Sequence, residues 1–326
     1  MAFQKIRGNE TVKDLLTHML SVGRVGHAYI IEGAKGTGKM TLAKAFAGTL
    51  LGTEKPESHP DFTVVTNTLY DPAKKTDTVL VDTIRSMKKD VYIRPYQGER
   101  KVYIIPKADS MLAPAQNSLL KVFEEPPAYC TIVLLAENAN SFLPTILSRA
   151  VLLRMHPVSR EEVTQYLVDE KGLSEEEAML PAVMSGGSIG KALEMLEDTD
   201  AAALREEVLT KVLKLGTGTY RDLYELIRLM KQNRADSVLL FEVLLSWSKD
   251  LMALKLGSGV VANRDKKEEL HRFCTLIPRH SAARFAEITM KYQRMIAQNA
   301  NYPIAVLCMA TEYWEEIHGR NYRSAF

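Results

Sequence analysis

Short apolar runs and stretches of helical period take turns over the first 158 residues. Residues 28–31, 62–66, 102–105, 131–136 and 151–153 read as five buried strands. Between them, Val12, Leu15, Leu16, Met19 and Leu20 stripe one face of a helix over 9–22 that Gly23 stops, and Leu42, Ala43 and Phe46 mark another over 40–49. Residues 67–76 are polar and predict a loop. Asp82 is the expected N-cap of a helix carrying Ile84 and Met87, which ends at the turn Arg94-Pro95-Tyr96-Gln97-Gly98. Ala115, Leu119, Val122 and Phe123 place a helix over 111–125, closed by Pro126-Pro127, and 144–148 is a short turn or helix. Strands alternating with helices predict a parallel α/β sheet that receives ligand at the carboxyl ends of its strands.

Beyond residue 158 the strand signal disappears. Ser159 with Glu162 and Ser174 with Glu177 are capping-box pairs that start two helices, and Gly186-Gly187-Ser188 breaks the chain before a third over 189–196. From 202 onward the period is helical throughout. Leu240, Val243, Leu244, Trp247, Leu251 and Leu254 form one stripe, Phe285, Ile288, Thr289, Tyr292 and Ile296 another, and a last helix follows Pro303. The predicted organisation is an α/β domain over 1–158, a small helical domain over 159–201 and an all-helical domain over 202–326. In the last of these, Trp247, Trp314 and the apolar stripes are expected to serve both as core and as anchors for neighbouring helices.

A chain of 326 residues, 46% hydrophobic and 25% charged, is an ordinary soluble mixture with room for several cores. The net charge of +2 announces no global affinity for nucleic acid. The local cluster Lys88, Lys89, Arg94, Arg100 and Lys101 reads either as a solvated surface or as a set of phosphate contacts. Cys130, Cys274 and Cys308 contain no CxxC pair, which argues against a thiolate zinc site or a disulfide framework. The N-terminus has no apolar signal core and no run reaches the ~20 apolar residues of a membrane span, so a cytoplasmic protein is expected.

The candidate chemistry lies between the first strand and the second helix. Gly33-Ala34-Lys35-Gly36-Thr37-Gly38-Lys39 matches the first seven positions of a phosphate-cradling loop, in which backbone N–H groups and the lysine meet phosphate oxygens. The eighth position, where a hydroxyl would ligate Mg²⁺, is Met40, and the hydroxyl of Thr41 falls about 100° further round the helix. Gly33, Gly36, Gly38, Lys39 and Thr41 are therefore candidates for holding ATP phosphates without competent metal chemistry. The alternative is a glycine loop kept only for its tight turn.

Four strings then speak together: His59-Pro60-Asp61-Phe62, Val81-Asp82-Thr83-Ile84-Arg85, the run from Ala115 through Leu119-Leu120-Lys121-Val122-Phe123-Glu124-Glu125 to Pro126-Pro127, and Ser148-Arg149. In order and spacing they resemble the bacterial clamp-loader subunits of DNA polymerase III. Gly187-Ser188-Ile189-Gly190-Lys191-Ala192-Leu193 and Asn299-Ala300-Asn301 look most like the family's delta-prime branch. The resemblance implies an AAA+ fold: a P-loop domain with a five-stranded parallel sheet, a helical lid and a helical collar. It also implies tau/gamma and delta subunits as partners in a hetero-pentamer, with a sliding clamp and primed DNA reached through the complex and no membrane.

Departures from the family pattern point to a subunit that does not hydrolyse ATP. The acidic pair expected after the third strand is Pro106-Lys107, with Asp109 nearby as either a displaced base or a loop cap. Gly190 stands where a motor subunit would be expected to carry a sensor arginine. Asn138 is either the first sensor or a turn residue. The family's four-cysteine zinc knuckle has no counterpart in residues 52–61, so no zinc is expected. Arg149 is read as an arginine finger offered in trans to a neighbour's ATP, against a salt bridge within its own domain. An ATP-hydrolysing tau/gamma-like motor subunit is the alternative within the family, and an unrelated P-loop protein or helical adaptor the alternative outside it.

Overall fold

The computed structural model describes residue 3 and residues 6–197, 199–258 and 261–319. These form two compact units, Met1–Tyr166 with Gly187–Lys191, and Leu167–Gly186 with Ala192–Phe326. The stretch 159–201, expected to be a domain of its own, thus contributes to both.

The first unit runs α1 (Glu10–Ser21), β1 (Ala28–Glu32), α2 (Lys39–Leu51), β2 (Phe62–Val64), α3 (Asn67–Tyr70), α4 (Val81–Val91), β3 (Lys101–Ile105), α5 (Ala113–Glu124), β4 (Cys130–Ala136), α6 (Pro144–Leu147) and β5 (Val151–Arg154), and takes in the start of α7 (Arg160–Lys171). The five strands form one sheet in the order β2-β3-β4-β1-β5, and every neighbouring pair is parallel. Tyr29, opposite both Val133 and Val151, joins Ile31, Leu135 and Leu153 in the core that α1 and α2 cover through Leu16, Leu42 and Phe46. Ala28, Ile30, Ile132 and Leu134 alternate onto the other face, against Ile84 and Met87 of α4 and Leu119 and Phe123 of α5. Burial of both faces is why the strands read as unbroken apolar runs rather than as alternating ones. Each fully buried Leu, Ile or Phe contributes about 1.5–3 kcal/mol to that core.

Three local expectations change. The helix expected to be capped by Asp82 begins at Val81 with Leu80 as its N-cap, so Asp82 lies in the first turn, where its carboxylate favours the helix dipole instead. The polar stretch 67–76 begins with α3 because the Asn67 side chain is buried. Its amide donates to the carbonyls of Thr76 and Thr78, and its oxygen accepts from Leu80 N and Thr83 Oγ1. One residue therefore binds a loop that composition alone describes as loose. Leu15 lies on the α1 stripe but is 39% exposed, since only Val12 and Leu16 reach the core fully.

The second unit is helical: the rest of α7, then α8 (Glu175–Met184), α9 (Ile189–Glu197), whose first turn belongs to the first unit, α10 (Thr199–Lys214), α11 (Tyr220–Gln232), α12 (Ser237–Lys255), α13 (Lys267–Leu276), α14 (Ser281–Ala297) and α15 (Tyr302–His318). Trp247 is wholly buried at its centre, with ring centroids of Phe285, Phe273 and Tyr313 at 4.9, 5.3 and 5.7 Å. Both expected capping boxes form: Ser159 exchanges hydrogen bonds with Glu162, and Ser174 with Glu177. Asn299 takes a positive φ, and the Asn301 side chain accepts from Ile304 N to cap α15. Trp247 and Trp314 both sit inside this core, so neither is an exposed anchor; the large apolar side chains most open to solvent here include Leu256, Tyr224, Val238 and Ile304.

Candidate phosphate-loop site

The loop of residues 33–38 leaves the carboxyl end of β1 and turns into α2, whose N-cap is a left-handed Gly38 and whose first turn carries no acidic residue. A helix N-terminus of this kind presents backbone donors and a positive dipole end, so a phosphate group fits the cradle. Lys39 does not project freely from it. Its ammonium donates to the carbonyls of Gly33 at 2.6 Å and Ala34 at 2.8 Å, folding the charge back onto the loop. Burial pulls the Lys39 pKa below the usual lysine range, with Glu137 and Asp109 acting in the opposite direction. Thr41 is exposed on the first turn of α2, while Met40 packs against the core. The loop thus brings Gly33, Gly36, Gly38 and Lys39 together and leaves Thr41 outside.

Beside the lysine, a cleft of about 330 Å³ is lined by Lys39, Lys107, Asp109, Ser110 and Glu137, with Leu135 and Ala136. Its oxygen donors are the carboxylates of Asp109 and Glu137 and the hydroxyl of Ser110. Lys107 brings an ammonium to the wall and pairs with Asp77 at 2.6 Å. The Asp109 carboxylate is already engaged, accepting the N–H groups of Glu137 at 2.8 Å and Asn138 at 3.3 Å, the geometry of a loop cap. Asn138 in turn accepts from Asn140 N and caps a short 3-10 turn. No group of three or more His, Cys, Asp or Glu able to hold a metal ion occurs among the described residues.

Two features of the site lie outside the phosphate-loop motif. Glu32, the last residue of β1, accepts from Ala139 N at 2.8 Å and from Arg154 Nε at 3.0 Å; the backbone bond is the larger cause of its lowered pKa. It ties the loop's point of departure to the ends of β4 and β5. The turn of Gly187–Lys191 meets the loop's apex: Gly190 N–H donates to Gly36 O at 2.9 Å and the Ser188 hydroxyl to Lys35 O at 2.9 Å. A glycine at 190 is legible in the sequence as a missing arginine, but that it seats against Gly36 is not.

Arg149 follows α6 at the surface. One guanidinium nitrogen donates to Thr145 O and Ser148 Oγ, and the other lies 3.2 Å from Glu124 Oε1 on α5. The side chain remains 37% exposed. The basic cluster is reduced, because Lys101 is only 1% exposed and its ammonium is held by Asp90 at 2.9 Å. It is a buried residue at the start of the interior strand β3, unable to meet a phosphate. Lys89 and Arg94 are exposed, and Lys88 and Arg100 half-buried.

Residues 8–159 match the family described as DNA polymerase III, delta subunit. The chain is 32% identical over 215 residues to DNA polymerase III subunit delta' of Bacillus subtilis, covering 61% of this chain and 62% of that one. It is 26% identical over 208 residues to subunit gamma of Buchnera aphidicola, covering 60% and 58%, and 26% identical over 301 residues to subunit tau of Bacillus subtilis, covering 83% and 54%. The chain therefore spans between 54% and 62% of the length of these relatives. No helix among the described residues is long and apolar enough to cross a membrane. A glycine-rich loop on a five-stranded parallel sheet thus lies within the stretch, residues 8–159, that matches the DNA polymerase III delta-subunit family, and the chain is similar to the gamma, tau and delta' subunits of DNA polymerase III.

Proposed function

We propose that this chain is a non-hydrolysing, delta'-type subunit of a clamp loader that places a sliding clamp on primed DNA. The observation that carries the reading is the cleft beside Lys39. Where hydrolysis requires Mg²⁺ and a base for water, the cleft sets the ammonium of Lys107 beside the carboxylates of Asp109 and Glu137, and Asp109 is engaged through one oxygen by two backbone N–H groups. Met40 stands at the loop position where a hydroxyl would ligate Mg²⁺. The residues that would hold ATP are the backbone of Gly33, Gly36 and Gly38 together with Lys39; Thr41 faces solvent. Bound ATP would supply phosphate charge to the cradle, and the chain's residues would orient it without activating water.

On this reading the helical unit acts as a collar that joins tau/gamma and delta subunits in a pentamer, with residues 159–201 as a lid. Arg149 is the residue offered to a neighbour's ATP. The family's gamma and tau matches favour a second reading, an ATP-hydrolysing motor subunit. A phosphate-release assay on the purified chain separates the two. No turnover above background is expected with or without Mg²⁺; turnover near ~1 s⁻¹, the low end of ordinary enzymes, selects the motor reading.

A further inference from the structure

The apex of the phosphate loop is tied to a second turn of the chain. Its two outward carbonyls, Lys35 O and Gly36 O, accept from the Ser188 hydroxyl and the Gly190 N–H, both at 2.9 Å. Ser188 Oγ also accepts from Lys191 N at 3.2 Å, so this one oxygen links the turn to itself and to the loop. The carbonyls of Gly33 and Ala34 accept from the Lys39 ammonium. Four consecutive loop carbonyls therefore have donors from this chain.

The fit depends on two facing glycines. A Cβ on Gly190 would lie 2.7 Å from Gly36 Cα and 3.0 Å from Gly36 O, both backbone atoms that have no rotamer to yield. A Cβ on Gly36 would meet Ser188 Oγ and would lie 2.9 Å from Lys191 N, at a residue whose φ of +78° already favours glycine. Neither position accepts a side chain while the backbones are this close.

We infer that Ser188 and Gly190 are positioning residues for the phosphate loop: the turn of Gly187–Lys191 holds residues 33–39 in their cradle form, so that the loop's order does not depend on nucleotide. The inference rests on reading residues 33–39 as a phosphate loop. It goes further in assigning what orders that loop, and it makes Gly190 a residue selected for close backbone approach rather than merely one lacking an arginine.

Amide hydrogen exchange on the full chain tests this directly, because the Gly190 and Lys191 N–H groups are themselves donors in the contact. In the wild type, these amides and the loop peptide should be protected without nucleotide, and ATP should change their exchange by less than about twofold. Gly190→Arg should raise exchange across 33–39 and 188–191 by about tenfold or more while the amides of β1 and β4 stay protected. If Gly190→Arg disrupts the sheet as well, Ser188→Ala decides. It removes only the hydroxyl and should still loosen both segments severalfold, whereas Ser188→Thr, which keeps the hydroxyl, should not. Protection of the loop that arises only on ATP addition, or that persists in the decisive variant, overturns the proposal. ATP turnover by the purified chain would overturn the non-hydrolysing reading and leave the exchange result untouched.

Discussion

Arg149 shows how little holds a side chain when its partner is a surface carboxylate. An exposed pair such as Arg149 with Glu124 contributes about 0–1 kcal/mol, so the guanidinium is released at small cost to meet a stronger anion. Arg149→Ala should therefore leave the chain's thermal midpoint nearly unchanged. In a reconstituted complex with clamp and primed DNA, it should lower ATP hydrolysis, by up to roughly 10³-fold if the arginine acts in trans on a transferred phosphoryl group. Unchanged hydrolysis in a fully assembled variant would assign Arg149 to its own domain's surface. Lys101 is the contrasting case: its ammonium is buried against Asp90, which also accepts from Tyr103 Oη at 2.6 Å. Removing that partner strands a buried charge. Asp90→Ala should cost about 2–4 kcal/mol in urea unfolding, several times the effect of Arg149→Ala.

At the scale of elements, some helices, α8, α11 and α15 among them, start where short polar side chains replace missing backbone partners. Ser174 accepts from Glu177 N while Glu177 returns a bond to Ser174 N, and Thr219 forms the same box with Asp222. Ser174→Ala should cost about 1 kcal/mol, read as a lower denaturation midpoint. The Thr219 N–H is the largest cause holding the Asp222 carboxyl below its usual range. A carboxyl lowered on folding stabilises the native state above its unfolded pKa, about 3.9 for aspartate, and loses that contribution as pH falls through the folded value. Thermal midpoints measured from pH 5 down to pH 2 should fall less steeply for Asp222→Asn than for the wild type; parallel curves would remove the box from the acid response. The Ser159 and Ser174 boxes were legible because their partners are three residues apart. Asn67 was not, since its four bonds reach 9 to 16 residues along the chain.

Across the whole molecule, the separation of buried from exposed apolar side chains bears on assembly. The tryptophans fill the helical unit's interior, whereas Val238 is 64% and Ile304 60% exposed on that unit's α12 and α15. Large apolar groups left in water are candidates for burial by a partner, although single exposed ones are common. On the proposed reading, Val238→Asp and Ile304→Asp should each keep the thermal midpoint within a few degrees. Either one should weaken co-purification with partner subunits by about thirtyfold where the position is a binding hot spot, a loss of about 2 kcal/mol. Undiminished co-purification of both variants would move the assembly surface elsewhere.

The order of the five strands, the α/β class and a phosphate-loop motif with Met40 at its eighth position were determined by the sequence itself. Each rests on residues a few positions apart, within reach of one helical turn, one strand or one loop. The tertiary structure decided the rest because it brings together residues remote in sequence. It turned Lys39 onto its own loop, buried Lys101 at the start of β3, and bound Asp109 to the residues just after β4. It also set Gly190 against Gly36, across 154 positions of chain, where the absence of a side chain on both residues is what lets their backbones meet.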